Sequence, residues 1–209
     1  MKTLPEEYNF MIPLKSPSLF RLGVNRDGGY ILDKKVLGIS NFLISFGMAE
    51  EYSFETDFLK FSTNNKLIIF DFSISHTHYF KELLKNIRRI FKFKRNLSDL
   101  VICLKNYIKF IKFTNQNNVK FFSKKISSEI NSKIDVSVEK IFENYIASQK
   151  NNIVLKIDIE GTEYDIINKI LFYEKQVDQL VMEYHDTHLR KNEFFENIKK
   201  IQNYFYISH

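Results

Sequence analysis

The sequence contains little cysteine, proline and glycine, and it contains no tryptophan. Its single cysteine, Cys103, excludes an intrachain disulfide framework, and the scarcity of cysteine and histidine excludes a structural zinc cluster. No run of about 18 apolar residues occurs, so we expect no transmembrane segment. The N-terminus lacks a basic segment followed by an apolar stretch, so we expect no signal peptide. These absences together predict a cytoplasmic location.

The remaining composition is that of a folded domain. The chain has 209 residues, of which 44% are hydrophobic, so it can bury a sizeable core and suits a single domain over residues 1–209. Its net charge of +6 is unevenly distributed, because residues 81–125 hold 13 Lys or Arg against two acidic residues. The rest of the chain holds 18 basic and 23 acidic residues. The positive charge therefore belongs to one region of the chain.

Apolar strands alternate with amphipathic helical segments along the sequence. Strands are predicted at residues 41–47, 66–72, 119–123, 153–159, 180–184 and 204–208. Helices are predicted at residues 52–61, 136–147, 162–173 and 192–202. This alternation predicts an α/β fold with a mostly parallel central sheet and helices on both faces. The strand at 204–208 would be the last, so we expect a short C-terminus without a seventh strand.

Residues 73–118, between the second and third predicted strands, are long for a crossover connection, which needs about a dozen residues or more. We expect a basic helical insertion or lid there. A stripe of apolar residues at helical spacing runs through it: Leu97, Leu100, Val101, Leu104, Ile108 and Ile111. We expect this stripe to face the core and the lysines to face solvent. The alternative is that the basic, aromatic-rich segment binds nucleic acid, anionic lipid or an acidic glycan.

Ionisable residues lie at the carboxyl ends of two predicted strands. Asp158 and Glu160 end one of them, and Glu183 and His185 end the next. If these strands are neighbours in a parallel sheet, the four side chains share the crevice in which open α/β sheets bind ligands. His185 suits a general base near neutral pH. The three carboxylates would alternatively suit Mg²⁺ or Mn²⁺.

Two explanations fit the polar row of Lys156, Asp158 and Glu160, which alternates with apolar residues. An edge strand would expose such a row to solvent. A central strand would instead have to line a cavity with it or pair it internally. The helical segments on both sides of this strand in the sequence favour the central position.

The first predicted strand ends in a glycine and the second has an aspartate near its end. Gly47 would let a ligand approach the backbone closely, and the following helix N-terminus favours polar or anionic groups. Asp71 follows 24 positions later, near the spacing of roughly 20 residues at which an acid binds ribose hydroxyls. One glycine is too few for a pyrophosphate cradle, so a nucleoside without phosphates fits better than NAD or FAD. An ordinary strand, turn and helix with a surface aspartate is the alternative.

Taken in order, the motifs of this chain resemble those of FkbM-type methyltransferases. They are R-L-G-x-x-x-D-G-G-Y from Arg21, S-F-G-x-x-E-E-Y-S-F-E from Ser45, F-D at Asp71, L-K-I-D-I-E-G-T-E from Leu155 and V-M-E-Y-H from Val181. The resemblance implies a Rossmann-like class I methyltransferase fold that uses S-adenosylmethionine. It also implies O-methylation of a small molecule or sugar, in bacteria often in surface polysaccharide or natural-product biosynthesis.

The resemblance also implies roles for individual residues. The cofactor-binding positions are Asp27, Gly28, Gly47, Glu50, Glu51 and Asp71, with Asp71 at the ribose. The catalytic positions on the acceptor side are Asp158, Glu160, Glu183 and His185. The chain departs from the family in its sparse glycine after Gly47, where Ala49 would stand in for a second small residue. Residues 73–118 match no pattern of the family.

Several alternatives stay open at this point. The expected partner is a small-molecule or glycan acceptor, and one alternative is that this acceptor is anionic or lipid-linked. The protein is expected to be cytoplasmic or, alternatively, peripheral to the inner face of the membrane. A nucleotide-sugar glycosyltransferase, in which Asp158 and Glu160 clamp a metal and a diphosphate, is a rival enzyme. A non-catalytic domain that binds nucleic acid through the basic segment is a second rival, which we do not favour.

Overall fold

A five-stranded parallel sheet forms the centre of the fold in a computed structural model that describes residues 5–26, 28–61, 64–92, 96–146 and 152–209. The strands are β1 Leu19–Leu22, β2 Tyr30–Asp33, β3 Phe42–Phe46, β4 Lys66–Phe70, β5 Val119–Phe122, β6 Lys125–Ile126, β7 Asp135–Val136, β8 Ile153–Ile157 and β9 Val177–Met182. The helices are α1 Lys34–Leu37, α2 Ser53–Phe61, α3 His76–Phe91, α4 Leu97–Thr114, α5 Val138–Tyr145, α6 Glu163–Leu171 and α7 Lys191–Gln202. Short 3₁₀ helices span Glu6–Met11 and Glu174–Gln176.

The strands of the central sheet have the spatial order β5-β4-β3-β8-β9, and each neighbouring pair is parallel. The chain begins the sheet at β3, builds outward through β4 and β5, and then returns to place β8 on the other side of β3. The strand order thus reverses between β3 and β8. In sheets of this kind, ligands bind outside the carboxyl ends of the strands at this point.

Helices cover both faces of the sheet, as the sequence predicts. On one face, Leu43, Ile69 and Val154 pack in a buried cluster with Phe54 of α2 and Phe110 of α4. On the other face, α5 and α6 pack against the remaining side chains of the same strands. Every residue of β3 and of β8 is buried, which explains why these strands are almost continuously apolar in sequence.

The position of β8 decides between the two explanations for its polar row. β8 lies between β3 and β9, so it is a central strand. Lys156 is only 1% exposed, and its ammonium group pairs with the equally buried carboxylate of Glu55 on α2. The row therefore pairs internally at Lys156 and lines a cavity at Asp158 and Glu160.

The hairpin predicted near the N-terminus is present, whereas the strand predicted at the C-terminus is not. Gly28, Gly29 and Tyr30 of the D-G-G-Y motif lie in a hairpin, as expected, because β1 and β2 pair antiparallel. The predicted strand at 204–208 is wrong: residues 203–204 form a turn and residues 205–209 are irregular. Ile207 accepts a hydrogen bond from the Leu14 N–H instead of pairing with β9. β9 is consequently an edge strand of the described sheet, with β5 at the other edge.

Helices α3 and α4 connect β4 to β5, so residues 73–118 are largely helical as expected; that they are an insertion stays a prediction. The expectation that the α4 stripe faces the core is wrong for four of its six residues. Leu97, Val101, Leu104 and Ile108 are between 43% and 69% exposed. Phe110 and Phe113 fill the core instead, because they lie on the opposite side of the helix. Throughout the described ranges, no helix is long and apolar enough to cross a membrane.

Candidate active site

Four of the site residues predicted from sequence form a row across the sheet. Each of them directly follows the last residue of a strand: Asp71 follows β4, Gly47 follows β3, Asp158 follows β8 and Glu183 follows β9. The backbone N–H of each donates a hydrogen bond to the last carbonyl of a neighbouring strand, at distances of 2.8–3.0 Å. Because these strands are parallel and in register, the four residues lie at the same level of the carboxyl edge.

A cavity of about 370 Å³ opens above this row. Its volume falls within the range of about 300–1,000 Å³ that is usual for small-molecule sites. Polar lining residues include the whole row together with Gly28, Glu51, Glu160 and His185. Apolar lining residues include Met48, Phe72 and Ile126. The cavity thus combines apolar walls with several acidic groups at the switch point of the sheet.

Asp71 holds the loop that follows β3. One carboxylate oxygen accepts hydrogen bonds from the Met48 and Ala49 N–H groups, each at 2.7 Å. The other accepts from the N–H and hydroxyl groups of Ser73, at 2.7 and 2.6 Å. A carboxylate offers about four acceptor positions, so this one is already fully engaged. Contact between Asp71 and a ribose stays a prediction, whereas its role in shaping the cavity is direct.

Gly47 is required for a reason that the sequence did not reveal. Its φ is +81°, and a Cβ there would lie 1.7 Å from the carbonyl oxygen of Asp158. The missing side chain therefore lets the backbone of Asp158, directly after β8, approach the loop closely, whereas the close approach of a ligand stays a prediction. Gly161 also has a positive φ, of +99°, but a Cβ at that position would meet nothing within 4 Å.

A Gly47→Ala variant should therefore be much less stable than a Gly161→Ala variant. Left-handed backbone costs an L-residue about 1–2 kcal/mol at either position, but only the substitution at Gly47 adds a collision with backbone. We expect Gly47→Ala to lower the free energy of unfolding by at least about 3 kcal/mol in a urea titration. Equal losses in the two variants would contradict the close approach between the loop and Asp158.

Three non-glycine residues near the strand ends also have left-handed backbone. They are Ala49 after β3, Glu160 after β8 and Asp186 after β9, with φ between 51° and 57°. Such conformations cost about 1–3 kcal/mol each and are concentrated at functional sites. Their position at the carboxyl edge agrees with a binding site there.

Tyr30 of the hairpin links two of the acidic groups. Its hydroxyl lies 2.8 Å from a carboxylate oxygen of Asp158 and 3.1 Å from one of Glu183. Burial and the negative charge of Asp158 raise the pKa of Tyr30 far above its usual value. The phenol therefore stays protonated and donates its single proton to one carboxylate at a time. The arrangement fixes Asp158 and Glu183 on the wall of the cavity.

His185 is held by the buried carboxylate of Glu163. One Glu163 oxygen lies 3.1 Å from His185 Nδ1 and accepts a 2.7 Å bond from its backbone N–H. The other Glu163 oxygen accepts from the Gly161 N–H at 2.7 Å. These contacts direct Nδ1–H toward Glu163. The Nε2 atom is 3.6 Å from Asp158 Oδ1, too far for a hydrogen bond, so it remains available to a ligand.

The surroundings of His185 favour its protonated form. Burial alone would lower the pKa of His185, but the hydrogen bond to Glu163 and the negative charges of Glu163 and Asp158 outweigh it. The net effect raises the pKa above its usual value. A histidine with a carboxylate behind it and one nitrogen facing a cavity is the arrangement of a general base whose charged form is stabilised after it takes up a proton.

Beneath the cavity, Lys156 and Glu55 form a buried ion pair. Lys156 Nζ lies 3.2 Å from Glu55 Oε1 and donates a 2.8 Å hydrogen bond to the Gly47 carbonyl. The same Glu55 oxygen accepts from the Ser45 hydroxyl at 2.7 Å. Lys156 Nζ also lies 3.8 Å from Asp158 Oδ2 and 5.1 Å from the centre of the Tyr30 ring. The pair thus ties α2, the loop after β3 and the acidic wall together.

The sequence model of the methyltransferase FkbM domain matches residues 9–207, which is nearly the whole chain. The chain belongs to the FkbM methyltransferase family. Its α/β fold, with a parallel sheet flanked by helices, is consistent with a Rossmann-like methyltransferase. Comparison with curated proteins and with solved structures gives no significant match.

Not every FkbM position expected at the cofactor lines the cavity. Glu51 lines it, and one of its oxygens also accepts a 2.9 Å bond from the Ser53 N–H at the start of α2. Glu50 lies outside it, with a carboxylate oxygen 3.2 Å from His78 Nε2. Asp27 lies outside the described residues, while its neighbour Gly28 reaches the cavity. The other predicted site residues of this FkbM protein come together around one space.

The carboxylates of this FkbM protein do not fit the Mg²⁺ or Mn²⁺ alternative. Among the residues that the structure describes, no group of three or more His, Cys, Asp or Glu side chains is arranged to hold a metal ion. Asp158 and Glu183 instead share the hydroxyl of Tyr30. The rival glycosyltransferase, whose clamp needs only Asp158 and Glu160 from the protein, stays an alternative.

Sequence reasoning missed Tyr30, Glu55 and Glu163 as parts of the site, and it placed Lys156 in the polar row without identifying its partner. All four stand inside the motifs that carry the family resemblance. A sequence shows that Glu163 follows a strand and a glycine, but not that its carboxylate turns back toward His185. The signal that would have found them is the presence of ionisable or phenolic side chains in otherwise buried segments, where each must have a partner.

Proposed function

We propose that this protein is an S-adenosylmethionine-dependent methyltransferase that acts on a hydroxyl group of a sugar or another small molecule. The observation that carries the proposal is the placement of His185, backed by buried Glu163, on the wall of the cavity at the switch point of the sheet. The acceptor is a glycan or natural-product hydroxyl, for which the neighbouring carboxylates offer hydrogen-bond acceptors.

The lining of the cavity suits the proposed cofactor. The apolar side chains of Met48, Phe72 and Ile126 suit a nucleobase, and the acidic groups suit the hydroxyls and ammonium group of a nucleoside-linked amino acid. The loop from Gly47 to Ala49, with Asp71 and Glu51, would hold it. When bound, S-adenosylmethionine supplies a methyl group already activated on a sulfonium.

The chain itself has to orient the acceptor and remove its proton. A sugar hydroxyl is a poor nucleophile near neutral pH, so a base that takes the proton during attack accelerates the transfer. His185 Nε2 would accept that proton, and Glu163 would stabilise the resulting imidazolium through Nδ1–H. Asp158 and Glu183, fixed by Tyr30, would align the acceptor by accepting hydrogen bonds.

Calorimetric titration with S-adenosylhomocysteine tests this proposal without knowledge of the acceptor. We expect the wild-type protein to bind one equivalent. We expect Asp71→Ala to weaken binding by about tenfold or more, because the Met48 and Ala49 N–H groups of the loop that would hold the cofactor lose their charged acceptor, at a cost of about 1.5–3 kcal/mol. Asp165→Ala is the matched control, since Asp165 is exposed on α6 and does not line the cavity. Absence of binding to the wild-type protein would refute the proposed cofactor.

A further inference from the structure

The hairpin of α3 and α4 carries two stripes of exposed hydrophobic side chains. Both stripes have the spacing i, i+4, i+7 and i+11, which places their members on one face of each helix. The stripes consist of Phe80, Leu84, Ile87 and Phe91 in α3 and of Leu97, Val101, Leu104 and Ile108 in α4. Their exposure ranges from 38% at Ile87 to 81% at Phe91. Globular proteins normally bury such a stripe against the core.

The inner side of the hairpin is occupied by other residues. The rings of Tyr79 in α3 and Tyr107 in α4 stack with their centres 5.4 Å apart. The centre of the Tyr79 ring also lies 4.9 Å from that of the Phe110 ring. Phe110 and Phe113 continue this packing into the core. The helices therefore pack together through a different face, and the two stripes point away from the core.

Basic residues run alongside both stripes. Residues 76–92 and 96–114 contain eight Lys or Arg residues and two acidic residues. Helical spacing places Lys81, Lys85, Arg88 and Lys92 beside the α3 stripe, on the side away from buried Tyr79. It places Lys105, Lys109 and Lys112 beside the α4 stripe. The result is an apolar surface bordered by positive charge.

The hairpin extends beyond the edge of the sheet at which the candidate active site opens. α3 begins at His76, shortly after β4 reaches that edge. Asn106 and Lys109 of α4 line a second cavity together with Glu50 and Glu51 of the same edge. From Asn106 the helix then extends about 13 Å further to Leu97, which lies nine positions away at a rise of 1.5 Å per residue. The most exposed side chains of the two stripes, Phe91 and Leu97, lie at the far end of the two helices.

We propose that the α3–α4 hairpin binds the surface of a membrane containing anionic lipids. The two stripes would enter the boundary between headgroups and acyl chains, while the basic residues contact lipid phosphates. A second copy of this chain is a less suitable occupant, because it would bring two positively charged hairpins together. Nucleic acid would use the charges but leave the apolar stripes uncovered. The proposal does not depend on methyl transfer.

Co-sedimentation with lipid vesicles tests the proposal on the full chain. The vesicles contain phosphatidylcholine alone or with about 30% phosphatidylglycerol. We expect the wild-type protein to bind the anionic vesicles at least tenfold more strongly, with binding that weakens as salt is raised. The double variant Phe91→Ser/Leu97→Ser should lose about tenfold or more of this affinity, since each large apolar side chain contributes substantially when buried. Circular dichroism checks that the variants remain folded.

Phe172→Ser is the matched control, because Phe172 follows α6 and is 79% exposed, nearly as much as Phe91. We expect its vesicle binding to equal that of the wild type. Three outcomes would overturn the proposal: no binding of the wild type to anionic vesicles, equal loss in Phe172→Ser, or unchanged binding in the double variant. A dimer in light scattering that the double variant abolishes would assign the surface to a second copy instead.

Discussion

A Glu55→Ala variant should lose about 3–5 kcal/mol of unfolding free energy, the cost of removing one member of a buried ion pair. Glu55 is fully buried and Lys156 is 1% exposed. Without the carboxylate, the Lys156 ammonium would stay in a low-dielectric interior with the Gly47 carbonyl as its main hydrogen-bond partner. Urea unfolding followed by circular dichroism measures the loss.

A control variant and a double variant test whether the loss of stability comes from the buried ion pair. Glu143→Ala removes an exposed glutamate from α5 and should change stability by no more than about 0.5 kcal/mol. The double variant Glu55→Leu/Lys156→Met should be more stable than Glu55→Ala, because it replaces both charges with apolar groups. A loss in Glu55→Ala no greater than that in Glu143→Ala would show that the pair is not buried as described.

A His185→Ala variant should transfer methyl groups about 10²- to 10⁴-fold more slowly than the wild type, the usual contribution of a general base. Its affinity for S-adenosylhomocysteine should change little, because the expected role of His185 is to remove a proton from the acceptor. The rate is measured as formation of S-adenosylhomocysteine with an acceptor found by screening. His188→Ala is the matched control, since His188 is exposed and lies outside the cavity.

The pH dependence separates the base from the residue that positions it. The pKa of His185 is raised, so the neutral imidazole becomes available only as pH rises through that value. We therefore expect kcat/KM of the wild type to climb with pH in this range. Glu163→Gln removes the charge that raises the pKa, so the climb should move to lower pH. NMR titration of the imidazole should show the same shift, and an unchanged profile would contradict the role of Glu163.

Sequence patterns predicted the five strands of the parallel sheet because buried parallel strands leave a strong signal. β3, β4 and β8 are short apolar runs. Each is directly followed by a glycine or an aspartate that stands out in the sequence, namely Gly47, Asp71 and Asp158. Parallel strands bring their carboxyl ends to one edge, so the gathering of these residues follows from the topology alone. The pairing of β8 with β9, on which the whole site depends, is confirmed.

The contacts that hold the site together could not be predicted from the sequence. Tyr30 reaches Asp158 across 128 positions of the chain, and Lys156 reaches Glu55 across 101. No periodicity encodes such distant partners. The error at α4 has a related cause, because an apolar stripe with helical spacing normally indicates the core-facing side. In α4, Phe110 and Phe113 pack in the core, whereas Leu97, Val101, Leu104 and Ile108 of the stripe are exposed.

A crystal structure of the protein with S-adenosylhomocysteine tests the central claim most directly. We expect density for the nucleoside in the cavity lined by Gly47, Asp71 and Asp158, with His185 free to contact an acceptor. Density at another place on the protein, or an empty cavity at saturating ligand, would contradict it.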